Sequence, residues 1–110
     1  MNNPLCDSLI EAVNTGLTPI QQAFDVYQSE CFVARPPEFF CLELCGEAGE
    51  LANLEKKRWK GALQDDEHTA EEAADVLIAL MNFCNARGVD LASAVSGKLE
   101  RIAPNRETTS

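Results

Sequence analysis

The chain has 110 residues, with 18 acidic against 9 basic side chains and a net charge of −9. That length suits one domain, and the acidic balance argues against binding nucleic-acid polymers or anionic membranes, which both need clustered cations. Hydrophobic residues make up 45% and charged residues 25%, the profile of a globular protein and not of a disordered acidic tail. With no basic leader and no apolar run of spanning length, the expected location is the cytoplasm. The five cysteines then read as reduced thiols. Cys41 and Cys45 share a helix face, but a zinc site would lack two ligands beyond His68 and distant cysteines.

In chain order the pattern reads as helices joined by short breaks. Residues 4–14 form a short helix ended by Asn14-Thr15-Gly16, within an N-terminal extension of residues 1–17. Thr18-Pro19-Ile20-Gln21 offers an N-cap, a first-turn proline and a capping-box glutamine, opening a helix whose stripe is Ile20, Ala23, Phe24, Tyr27 and Cys31. After Arg35-Pro36-Pro37 a second long helix runs from about Glu38 to Lys60, with Gly61 as its stop and cations in its last turn. A third runs from about Thr69 to Arg87 with Gly88 after it. Asp90 caps a fourth from Leu91 to about Ile102, which Pro104 ends, leaving a frayed tail at 104–110. The expected fold is all-α, a bundle of four to five helices whose main domain is residues 18–103.

The acids are oddly placed on this frame. At 100° per residue, Glu43 and Glu50 fall within about 60° of Glu47, beside the apolar stripe of Phe40, Leu44, Leu51 and Leu54. On the third helix Glu72 and Asp75 lie beside Val76, Ala79 and Phe83, and Leu77, Ile78 and Met81 make the opposite side apolar too. Burying unpaired carboxylates costs several kcal/mol each or forces protonation, so packing alone does not explain two acid pairs at i, i+3. Facing each other, the four acids would form an oxygen cage suited to a hard divalent cation such as Mg²⁺. Iron is disfavoured because a di-iron bundle uses Glu-x-x-His motifs and His68 is the one histidine. The plainer alternatives are a capping box from Thr69 to Glu72 and ion pairs for Glu47 and Glu50.

These residues resemble the MazG-type all-α nucleoside triphosphate pyrophosphohydrolases, whose hallmark is ExxE on one helix and ExxD on the next. Here the motifs read Gly46-Glu47-Ala48-Gly49-Glu50-Leu51 and Glu71-Glu72-Ala73-Ala74-Asp75-Val76-Leu77, with 21 residues between Glu50 and Glu72. The resemblance extends to Pro37, Gly88-Val89-Asp90-Leu91 and Lys98-Leu99-Glu100. Many relatives carry Glu where Gly46 stands. The resemblance implies Mg²⁺-dependent hydrolysis of a nucleoside triphosphate to monophosphate and pyrophosphate, with Mn²⁺ able to substitute. It implies metal-ligand roles for Glu47, Glu50, Glu72 and Asp75, and a homodimer or homotetramer that completes the bundle. Water activation is assigned to Glu47.

The remaining candidates each have two readings. Lys98 sits in the stripe of Leu91, Val95, Leu99 and Ile102, either reaching a substrate phosphate or snorkelling to solvent; Arg101 is a lesser phosphate candidate. Glu43, Asn53 and Asn82 stand near the acidic faces, as supporting hydrogen-bond partners or as plain surface polarity. Lys56–Lys60 reads as the cations a helix C-terminus collects, and Trp59 as a base platform or a subunit contact. The alternative for the whole chain is a non-enzymatic acidic helical-bundle interaction module that docks a basic partner. Four short helices bury little, so association is expected in either case.

Overall fold

In the computed structural model, residues 3–109 are described, with side chains described as far as Ile102. They form four helices: α1 (Pro4–Cys31), α2 (Pro37–Trp59), α3 (Asp66–Arg87) and α4 (Leu91–Thr109). No strand occurs among the described residues, and no helix is long and apolar enough to cross a membrane. The fold is all-α.

The helix ends follow local chemistry. Asn3 caps α1 by accepting from the Leu5 and Cys6 amides at 3.1 Å each, with Pro4 in the first turn. α2 starts on Pro37 and ends in a last turn carrying Lys56, Lys57 and Arg58, cations that suit the negative end of the helix dipole. Gly61 then turns the chain at φ +96°, and Gly88 ends α3 at φ +76°, a region other residues enter only with strain. Asp90 accepts from the Ser93 amide at 3.2 Å and starts α4.

Three boundaries differ from expectation. The first two helices are one: α1 runs unbroken through Asn14–Gly16 and holds Pro19 in its interior. An interior proline costs one helical hydrogen bond and about 3 kcal/mol, and tertiary anchors on both sides hold the helix against it. Asn14 Oδ1 accepts from Ser96 Oγ at 2.6 Å. Gln21 donates to the Val89 carbonyl at 2.7 Å and Asn85 Oδ1 at 3.1 Å, and accepts from the Leu91 amide at 3.0 Å. Gln21 is therefore a clamp on the α3–α4 turn and not a capping-box residue. Next, α3 starts a turn before Thr69: its cap is Asp65, which accepts from the Glu67 amide at 3.1 Å. Thr69 lies inside the helix, so the capping-box explanation of Glu72 is withdrawn. Finally, α4 continues past Pro104 to Thr109, since a proline weakens a helix without forbidding its continuation.

α3 is the central element. α2 packs along one side of it and α1 along another, while α4 packs on α1. The core is small: Phe40, Leu54, Ala79, Met81, Cys84 and Ala92, and α1 buries no residue fully in 28. The chain exposes 7860 Å², whereas a folded monomer of 12.0 kDa exposes about 6,000 Å². Its radius of gyration is 16.8 Å, against about 13 Å for a compact domain of this length. The excess is apolar in part, for Leu42 is 74% and Trp59 90% exposed.

Candidate metal centre

α2 and α3 are neighbours joined by a short turn, which sets their acidic faces against each other. One carboxylate oxygen from each of Glu47, Glu50 and Glu72 lies within 4.8 Å of the other two. Glu72 is 9% exposed, and it is the anchor of the group. Its Oε1 stands 3.3 Å from His68 Nε2, four residues earlier on α3. Its Oε2 is buried and has no hydrogen-bond partner. A buried acceptor left unpaired is costly. Neither ion pair proposed for Glu47 and Glu50 is found; the described salt bridges use Glu55, Asp66, Glu72 and Glu38.

The electrostatics carry the strain of this crowding. Burial raises the pKa of Glu47 above its ordinary 4.5, and repulsion from Asp75, Glu50 and Glu72 raises it further. Glu50 is raised first by the hydrogen bond that only its protonated form can give Glu72, then by repulsion from Glu72, partial burial and Asp75, with His68 opposing. Asp75 is exposed and outside the tight group of three, yet close enough to act on both. The donor set is all oxygen, and the orphaned Glu72 oxygen faces its requirement for a positive partner. Hard divalent cations take such sets, so these residues fit one.

Residues 35–107 match the family model of the MazG nucleotide pyrophosphohydrolase domain. The chain belongs to this family. Both acid pairs, and α2 and α3 entire, lie within the match, whereas α1 precedes it. No curated protein and no solved structure matches the chain. Family membership thus rests on the domain signature, and the site's details rest on this chain's own geometry.

The other candidates are dispersed. Glu43 is exposed one turn before Glu47, and Asn53 is exposed on the same helix. Asn82 is 7% exposed with its Oδ1 unpartnered, so it is not surface polarity. Lys98 and Arg101 are at the surface of α4, the helix packed on α1, while the carboxylates lie between α2 and α3. Cys41 and Cys45 are exposed free thiols and belong to no metal-capable cluster among the described residues. His68 is the contact that sequence reasoning missed. The sequence offers it as a possible zinc ligand, and its i, i+4 spacing from Glu72 on a helix is the signal for the contact.

Proposed function

We propose that the chain is a divalent-metal-dependent nucleoside triphosphate pyrophosphohydrolase, converting an NTP or dNTP to the monophosphate and pyrophosphate. The observation that carries this reading is the convergence of carboxylate oxygens of Glu47, Glu50 and Glu72, with one Glu72 oxygen buried and unpaired, within a MazG domain. These three and Asp75 would hold Mg²⁺, or Mn²⁺ in its place. When bound, the ion supplies charge neutralisation for the phosphates and an acidified water.

The chain's own residues do the rest. Glu47, half-buried beside Glu50 and Glu72, orients the attacking water and accepts its proton. Glu50 and Glu72 repel a triphosphate unless it arrives with cations, which couples substrate entry to metal. His68 fixes the Glu72 carboxylate through Oε1 and leaves Oε2 for coordination. The same reading makes the protein a homo-oligomer: the excess exposed area of about 1,900 Å² exceeds the roughly 800 Å² that each partner buries in a standard interface. Lys98 and Arg101 then contribute phosphate contacts, and their place on α4 suits a site shared with a second copy.

Thermal unfolding followed during Mg²⁺ or Mn²⁺ titration tests the metal centre. The melting temperature is expected to rise with either ion, and to respond far less in Glu50→Gln and Asp75→Asn. A wild-type protein indifferent to both ions contradicts the reading.

A further inference from the structure

A cavity of about 510 Å³ is lined by Glu43, one helical turn before Glu47, and holds none of the clustered carboxylates in its wall. It is walled by the end of α1, the 32–36 segment, the first turns of α2 and the middle of α3. Tyr27 and Phe32 meet edge to face at 5.3 Å on one side. Phe39 also lines the cavity, with the Arg35 guanidinium 4.7 Å above its ring, a planar cation on an aromatic platform. The volume lies in the range of small-molecule sites, which are mostly apolar with a few placed polar groups.

Two of those polar groups can accept hydrogen bonds, Glu43 through its carboxylate and Asn82 through Oδ1 beside its Nδ2 donor. Glu43 lines the cavity one turn from Glu47. Asn82 also lines it, more than nine-tenths buried and with Oδ1 unpartnered. The broad χ2 torsion of asparagine lets the carboxamide turn toward the cavity. Because α2 and α3 run antiparallel, stepping back from Glu47 to Glu43 and forward from Asp75 to Asn82 moves in one direction. Seven residues of helix separate Asp75 from Asn82, about 10.5 Å, comparable to the reach of a nucleoside from its 5′ phosphate to the far edge of its base.

We propose that this cavity is the nucleobase subsite, and that Asn82 and Glu43 select bases carrying an exocyclic amino group. The inference rests on the pyrophosphohydrolase reading for the identity of the ligand. Amino groups of cytosine and adenine donate to carboxylate and carboxamide acceptors. The carbonyl-rich edge of uracil or thymine meets Glu43 with repulsion and leaves one acceptor unpaired, the kind of mismatch that sites discriminate against strongly. The aromatic walls accept any base by stacking and do not choose among them.

The experiment compares pyrophosphate release from dCTP, dATP, dTTP and dUTP by wild type and Asn82→Leu, together with thermal shifts given by cytidine, adenosine and uridine alone. The leucine fills a similar volume, and because Oδ1 has no partner to lose, the variant should fold with unchanged or higher stability. Wild type is expected to prefer dCTP or dATP by about tenfold or more in kcat/KM. Asn82→Leu should collapse that preference through a raised KM for dCTP and dATP. A preference for dTTP or dUTP, or an undiminished preference in Asn82→Leu, overturns the base assignment while leaving the activity standing. If no nucleotide releases pyrophosphate, the proposed function fails instead. The cavity is then judged by the nucleosides: stabilisation by cytidine or adenosine that is lost in Asn82→Leu supports the subsite, and its absence overturns it.

Discussion

His68 holds Glu72 by one oxygen only: Nε2 stands 3.3 Å from Oε1, and Oε2 is buried without a partner. This half-satisfied carboxylate links the fold to its chemistry. A helix–helix seam selected for packing would not keep it, and the nearby carboxylates of Glu47 and Glu50 worsen it. His68→Ala should free Glu72 to adopt other rotamers and weaken metal binding or turnover by about tenfold, the usual scale for a group that orients a ligand. Mg²⁺ titration of activity checks this; unchanged metal dependence would detach His68 from the site.

Stability should depend on pH in an unusual sense. Glu47 and Glu50 have pKa values raised above 4.5, so the folded metal-free protein binds protons that the unfolded chain does not. Where that holds, stability increases as pH falls. Melting temperatures of metal-free protein should therefore rise on acidification from above the raised values toward 4.5, the ordinary value of these groups. Glu50→Gln should flatten that trend. A wild-type Tm that falls steadily through this window would contradict the repulsion described at the site.

Pro19 lies inside α1, where its ring displaces a turn of helix and its missing N–H leaves the Thr15 carbonyl without its usual donor. Pro19→Ala should stabilise the protein, by up to about 3 kcal/mol, measured by urea denaturation. A destabilised variant would mean that the proline sets a bend α1 needs.

Leu42, 74% exposed on α2, probes the proposed oligomer. Light scattering is expected to give wild type at least twice the chain mass, and Leu42→Arg should shift it toward the monomer if that face is covered. A monodisperse wild-type monomer with full helicity would contradict the oligomer.

Much of this was legible in the sequence because it is local. Gly61 and Gly88 mark chain reversals, Asp90 caps α4, and the acid pairs at i, i+3 fall on one face by helix geometry alone. The break expected near Thr18-Pro19 failed for a non-local reason: Asn14 is bonded to Ser96 and Gln21 to Asn85, Val89 and Leu91, contacts that span most of the chain and override a local stop signal. The cavity was equally hidden. Tyr27 reads only as part of an apolar helix stripe, and no local pattern shows that it lines one cavity with Phe32, Phe39 and Asn82. Asn82 itself was noticed by its position on the face, but its orphaned oxygen is a fact of packing.

In the proposed reaction this carboxylate cluster, with its metal, supports cleavage of a nucleoside triphosphate between its α- and β-phosphates. Phosphorus NMR of the products formed with Mg²⁺ tests it most directly. Nucleoside monophosphate and pyrophosphate are expected in equal amounts, abolished by chelation of the metal and by Glu50→Gln. Diphosphate with orthophosphate, or intact nucleotide across all bases tried, would contradict it.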